Sequence, residues 1–200
     1  MGTDKALLPW PPAARAADAA PGETLLSTAI AALKTQADDV VVVAGGNAAA
    51  LAPIVAACGG SLVVNPNPDR GQFSSLQTGL REVVARGYGA AMITPVDCPP
   101  LTAATLEILR AKFERALTAG KWAVAPEHEG RHGHPLTAGR ALIEAFLNAP
   151  VTSNAREVRR GCAEKIEYVP VAEPLISVDL NTPEEYEALS EDAGDAKLRY

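Results

Sequence analysis

Cysteine is scarce in this sequence: Cys58, Cys98 and Cys162 are scattered, with no CxxC pair among them. An odd, dispersed set fits a reducing cytoplasm better than a disulfide framework, and the expected location is cytoplasmic. Basic charge is also short, with 18 Lys and Arg against 24 Asp and Glu, a net charge of −6. That balance counts against a general nucleic-acid binder, which needs a basic footprint for phosphates. A small anionic substrate stays compatible, because one lysine or a metal ion supplies locally what net charge does not. Neither a Walker A nor a GxGxxG loop is present, so standard NTPase and dinucleotide-binding readings lack support. No charged segment followed by an apolar one opens the chain, and no signal peptide is expected. The apolar stretch from Val40 to Val64 is interrupted by Gly45, Gly46, Asn47, Pro53, Gly59 and Gly60. It reads as strand, helix and strand, and no membrane partner is expected.

What is there is ordinary globular composition, 48% apolar and 21% charged over 200 residues. That suits one domain with a real core. Residues 11–22 are rich in Pro and Ala without a period and read as a loop. Leu25, Leu26, Ala29, Ile30 and Leu33 lie on one face of a helix expected over 23–37. Val40 to Val43 is a β-branched run ended by Gly45-Gly46, the pattern of a strand buried on both faces. A helix over 48–57, a strand over 61–64, a helix over 74–85 and a strand over 90–95 follow. Thr102 can cap a helix running to about Ala116. Strands are expected at 122–125, 166–171 and 176–180, and helices at 140–147 and 155–160. Thr182-Pro183-Glu184-Glu185 opens a last helix with an N-cap, a first-position proline and a capping-box glutamate; the tail after Ser190 is polar. Strands alternating with helices imply an α/β fold whose mostly parallel sheet is covered on both faces. Ligands in such sheets bind at the carboxyl ends of the strands, here after Val64, Pro95 and Leu180.

Asp97 stands where Ala-Ala-Met-Ile-Thr-Pro-Val-Asp leaves the sheet, and Pro99-Pro100 stop the strand from continuing. A carboxylate there can hold Mg²⁺ against a triphosphate; it can equally cap the helix that follows. In Ile176-Ser-Val-Asp-Leu-Asn, strand alternation puts Asp179 and Asn181 on one side, although turn chemistry before a helix explains Asn181 almost as well. The segment from Asn65 through Gly71 to Ser74 and Ser75 leads from a strand into a helix. Gly71 permits close backbone approach, and the two serines suit an anion or the polar edge of a base, while Ser74 alone reads as an N-cap. Lys5, in Met-Gly-Thr-Asp-Lys, reads by itself as a solvated terminal lysine.

His128-Glu129-Gly130-Arg131-His132 matches HExxH in letters. Zinc chemistry needs the two histidines one helical turn apart, and Gly130, Gly133, Pro126 and Pro135 argue against any helix. The segment reads instead as a loop carrying Gly133-His134-Pro135 at the rim of a cleft.

Taken together, MGTDKALLPW, VVVVAGG, NPNPDRGQFSSLQTGL, MITPVDCPPLT, GRHGHPLTAGR and VDLNTPEEY resemble, in family order, the molybdenum-cofactor cytidylyltransferases. These sit within the wider class of GT-A-like sugar-phosphate and isoprenoid nucleotidyltransferases, and the Gly-His-Pro element favours the cofactor branch. The resemblance implies a Rossmann-like three-layer sandwich. It places Gly2 and Lys5 on the triphosphate, and Asn65, Gly71, Ser74 and Ser75 around the nucleotide and its base. It gives Asp97 a catalytic role on Mg²⁺ beside Lys5, Asp179 or Asn181 the completion of the metal site, and His134 with Pro135 the acceptor. The implied reaction joins CMP from CTP, or GMP from GTP, to the phosphate of molybdopterin with release of pyrophosphate, and molybdoenzymes are the implied recipients. A protein of this fold that holds the cofactor without catalysis, or an inactive fragment of the fold, is the alternative. Asn181 departs from the aspartate usual in the family. The family also begins with a strand and a glycine-rich Leu-Ala-Ala-Gly loop ending in Arg-Met-Gly. This sequence starts at the Met-Gly, so that strand and loop are expected to be missing, with two sheet edges left unpaired.

Overall fold

The computed structural model describes residues 4–12 and 23–191. Gly2, most of the Pro/Ala-rich loop and the polar tail lie outside the described residues. Helix α1 (Leu25–Lys34) starts at a capping box in which Thr24 accepts from the Ser27 amide and Ser27 accepts from the Thr24 amide. Strand β1 (Val41–Ala44), helix α2 (Ala48–Ala57) and strand β2 (Ser61–Val64) form a unit in which β1 and β2 pair in parallel. Helix α3 (Gln72–Ala85) and strand β3 (Ala90–Ile93) lead to helix α4 (Ala103–Thr118), whose N-cap is Thr102 as its hydroxyl chemistry dictates. Strands β4 (Ala123–His128), β5 (Arg131–His132) and β6 (Leu136–Gly139) precede α5 (Arg140–Asn148) and α6 (Ala155–Gly161). Strand β7 (Ile166–Pro170) and helix α7 (Pro183–Glu191) complete the described chain.

The strands divide into two sheets. One holds β1 and β2; the other runs β3-β6-β4-β5, with β7 on the remaining edge of β4. Strand β6 is antiparallel to both β3 and β4, while β4 and β7 are parallel, so β3, β4 and β7 share one direction. The α/β layering expected from the alternation is present, with one reversed strand inside the larger sheet. Val41, Val42 and Val43 are only half-buried, where full burial on both faces was expected. Strand β1 pairs with β2 alone among the described residues, and an unpaired edge leaves its flank partly open to solvent.

Two further expectations are corrected. Residues 176–180 form no strand: Pro174–Ser177 is a 3₁₀ turn, followed by extended chain whose Leu180 amide donates to the Asp97 carbonyl at 2.8 Å. A proline at the turn's first position supplies the fixed φ that such a turn needs and no ladder donor. The strands β5 and β6 went unforeseen because three glycines and a proline interrupt residues 130–139.

Each sheet has its own apolar packing. Leu26, Ile30, Val40, Ala44, Leu51 and Val55 cluster around β1 and β2. Ala123, Ala125, Ala138, Leu142, Ile143 and Phe146 cluster on the larger sheet, where Phe73 of α3 meets Phe146 edge-on. Gln77 is buried between α3 and α5 and donates to the Phe146 and Ala149 carbonyls at 2.9 and 3.2 Å. Gln77→Leu keeps the volume but orphans both carbonyls, and chemical denaturation should register a loss of about 2 kcal/mol. No helix among the described residues is long and apolar enough to cross a membrane.

Candidate active site

The carboxylate pole forms just beyond β3. Pro95 and the Pro99-Pro100 pair offer no amide to a ladder, so the chain turns, with the Cys98 amide donating to the Pro95 carbonyl. The bond from the Leu180 amide to the Asp97 carbonyl draws residues 178–181 across this turn. Cys98 Sγ then donates to Asp179 Oδ1 at 3.2 Å. Lys5 arrives from a 3₁₀ turn, Lys5–Leu7, capped by Asp4, whose other oxygen accepts from Asn47. Its Nζ donates to Asp97 Oδ2 at 3.2 Å and to Asn181 Oδ1 at 2.9 Å. Thus Lys5, Asp97, Asp179 and Asn181, distant in sequence, meet at the carboxyl end of β3. The side chains of Lys5 and Asp97 are 27% and 26% exposed, so their pair is open to a ligand and adds little to stability.

Donor atoms of Asp97, Cys98 and Asp179 all lie within 4.8 Å of one another. Burial first, then the bond to Asp179, pushes the Cys98 thiol far above its ordinary range, so sulfur is present as S–H. Two converging carboxylates, with the Asn181 amide oxygen nearby, are the oxygen donors a hard divalent cation takes. The donor set therefore fits Mg²⁺ or Mn²⁺.

A second cluster sits after β2. Asn65 is buried and donates to Ser74 Oγ at 2.8 Å and to Ser75 Oγ at 3.0 Å, while accepting from the Asn67 amide. Gly71, at φ +81, is the N-cap of α3, so Ser74 is not the N-cap that it resembles in the sequence. Ser74 turns its single proton inward, toward the Gly71 and Asn67 carbonyls. The Ser75 hydroxyl accepts from Asn65 and has no acceptor of its own among the described residues. Asn65, Gly71 and Ser74 shape the loop; Ser75 keeps a proton to offer a ligand.

The HExxH letters lie on a hairpin. Glu129 and Gly130, at φ 49° and 78°, form its two-residue turn, with His128 opposite Arg131 and Glu127 opposite His132. His128 and His132 therefore point to opposite faces. His128 Nδ1 lies 2.8 Å from the Val171 carbonyl, while His132 contacts Glu127 and stacks on Tyr168. No zinc pair forms.

His134 precedes a cis Pro135 and is held by its amide, which donates to the Ile176 carbonyl at 2.9 Å. Its Nδ1 is buried and has no hydrogen-bond partner among the described residues. Burial lowers the imidazole pKa, aided by Arg159 and opposed by the Ile93 carbonyl and by the charges of Asp179 and Asp97. Below the ordinary value of 6.5, the unfolded chain accepts a proton that folded His134 refuses, so stability falls as pH drops toward the folded pKa. Melting temperatures from pH 7 to pH 5 should therefore fall more steeply for the wild type than for His134→Asn. Sequence reasoning missed the contact of Cys98 with Asp179 and the latch from Asn47 to Asp4. Both join residues far apart in the chain, and the only signal was the adjacency of Cys98 to Asp97.

The profile of the MobA-like NTP transferase domain matches residues 1–168. The chain belongs to this family. It is a nucleotidyltransferase of the MobA-like type, and Asp179 and Asn181 lie beyond the matched segment. Rv0371c from Mycobacterium tuberculosis H37Rv, solved as a complex with manganese, is 20% identical, with 95% of this chain and 93% of that one covered at a TM-score of 0.67. A nucleotidyl transferase from Methanothermobacter thermautotrophicus is 19% identical, with 97% and 87% covered at a TM-score of 0.70. Molybdopterin-guanine dinucleotide biosynthesis protein A from Archaeoglobus fulgidus is 17% identical, with 97% and 92% covered at a TM-score of 0.59. At these identities the likeness is one of fold. A search of curated proteins gave no match.

Proposed function

We propose that this MobA-like nucleotidyltransferase transfers CMP from CTP to the terminal phosphate of molybdopterin. The observation that carries the reading is the meeting of Lys5 with Asp97, Asp179 and Asn181 at one strand end. An acceptor phosphate oxygen forms a bond to the α-phosphorus of the nucleotide, the bond from that phosphorus to the α–β bridging oxygen breaks, and pyrophosphate leaves with the electron pair. Asp97 and Asp179, with Asn181, would hold Mg²⁺, which when bound neutralises developing phosphate charge. Lys5 exchanges its carboxylate for a phosphate oxygen and adds a fixed positive charge. Ser75 offers its hydroxyl to the base, on the loop that Asn65, Gly71 and Ser74 shape; Gly2, from the resemblance, joins Lys5 at the triphosphate. His134, positioned by Pro135 and the Ile176 carbonyl, lines the acceptor side with a half-buried imidazole whose pKa burial lowers. Molybdoenzymes are the proposed recipients of the product.

Transfer of GMP is the second reading, favoured by the name of the Archaeoglobus neighbour. Pyrophosphate release measured with CTP, GTP, ATP and UTP, each with and without molybdopterin and Mg²⁺, tests both. CTP should exceed the other nucleotides by about tenfold or more, a difference that one or two base contacts supply. Preference for GTP would select the second reading. Cofactor binding without pyrophosphate release from any nucleotide would replace the enzyme with a non-catalytic carrier.

A further inference from the structure

We propose that Cys98 is a positioning residue: its thiol holds the Asp179 carboxylate toward Asp97 and so sets the spacing of the two acidic groups. The inference rests on the metal-assisted reading above and goes beyond it by assigning a role to a residue that touches no substrate.

The two partners differ in freedom. Cys98 is 4% exposed, and its amide is tied to the Pro95 carbonyl. The crevice around it is lined by the apolar Ala32, Leu33, Leu101, Leu106 and Pro135 and by Thr94, whose hydroxyl proton is turned to the Pro95 carbonyl. Asp179 is exposed, lies in extended chain after a 3₁₀ turn, and takes no other side-chain hydrogen bond among the described residues. A buried donor facing an exposed acceptor orients the acceptor. The S–H bond at 3.2 Å is the one side-chain hydrogen bond that Asp179 makes among the described residues. Without it, like charge on Asp97, within 4.8 Å and partly offset by Lys5, would favour turning the Asp179 carboxylate toward water. The neighbouring bond from the Leu180 amide to the Asp97 carbonyl keeps the backbones together, so the loss is confined to a side-chain orientation. A divalent cation would then meet one carboxylate where it now meets two.

The test uses the full chain and Mn²⁺ alone, with free Mn²⁺ followed by electron paramagnetic resonance and melting temperature measured in parallel. Cys98→Ala leaves space and Cys98→Val fills it, and both remove the donor; each should weaken Mn²⁺ binding about tenfold, the usual effect of losing an outer partner of a metal ligand. Cys98→Ser keeps a donor beside an acceptor that can shift toward it, and should stay within about threefold of the wild type. Wild-type affinity in either the Ala or the Val variant would overturn the proposal. So would equal losses in the Ser and Val variants, which would make the role one of packing. Asp97→Ala separates this from the parent reading. If it abolishes Mn²⁺ binding while Cys98→Val leaves it intact, only the Cys98 role falls. If it leaves Mn²⁺ binding unchanged, the metal assignment falls and the Cys98 role with it.

Discussion

Asp97→Ala should reduce pyrophosphate release by about a thousandfold while lowering stability by less than about 1 kcal/mol. The two effects separate because of where the carboxylate sits. Its side chain is 26% exposed and its ion pair with Lys5 is solvated, so removing it costs the fold little. The same removal takes one of two converging carboxylates from the proposed cation site and frees Lys5 to hold Asn181 alone. Charge neutralisation by the cation in the transition state is then lost. Asp97→Asn should behave nearly as badly, since an amide keeps the shape without the charge. Initial rates at saturating nucleotide and Mg²⁺, beside a melting curve, decide the matter; a variant within tenfold of the wild type would remove Asp97 from catalysis.

Gly133→Ala should be the most damaging single methyl group in the described chain. A Cβ at that position would lie 1.9 Å from the Ile176 carbonyl oxygen and 2.4 Å from its carbon, both backbone atoms. Flexible side chains can yield to such contacts, but here two backbone segments are pinned together by the bond from the His134 amide to the same carbonyl. One of them must move, at a cost of about 3 kcal/mol or more. For a domain of this size that lowers the melting temperature by about 6–12 °C. Activity should fall as well, because the displaced segments carry His134 on one side and lead to Asp179 on the other. A melting temperature within 2 °C of the wild type, a threshold set from about 1 kcal/mol, would contradict this reading.

Much of this was legible in the residues. The runs expected as strands at 40–43, 61–64 and 90–95 sit between helical periods and became strands at 41–44, 61–64 and 90–93. Thr102 caps its helix as its hydroxyl chemistry predicts, while the Thr24 capping box, inside the helix expected over 23–37, was not foreseen. That the HExxH segment is no helix followed from Gly130, Gly133, Pro126 and Pro135, but its hairpin was not foreseen, since the segment read as a loop. The reversed strand β6 was not legible: its residues are small and follow Gly133 and Pro135, and only pairing with β3 and β4 makes them a strand. Asp179 and Asn181 did reach the pole, but by a different route from the alternation expected of a strand. A backbone bond to Asp97 and contacts with Cys98 and Lys5 bring them there, and such long-range bonds leave no periodic trace. The inward turn of the Ser74 hydroxyl was equally hidden, since Ser74 and Ser75 differ only in which carbonyls surround them.

The division of the strands into two sheets has a consequence for how the molecule grips its substrate. Ala6, beside Lys5, packs with the smaller sheet, and Asn65 extends directly from β2. Asp97 and His134 flank strands of the larger sheet. The proposed nucleotide site therefore lies between the two sheets, which α3 joins by packing against both and which the contacts of Lys5 also link. A triphosphate bound there acts as a suture. Its grip should slow amide hydrogen exchange in both β1 and β3, although it touches the backbone of neither.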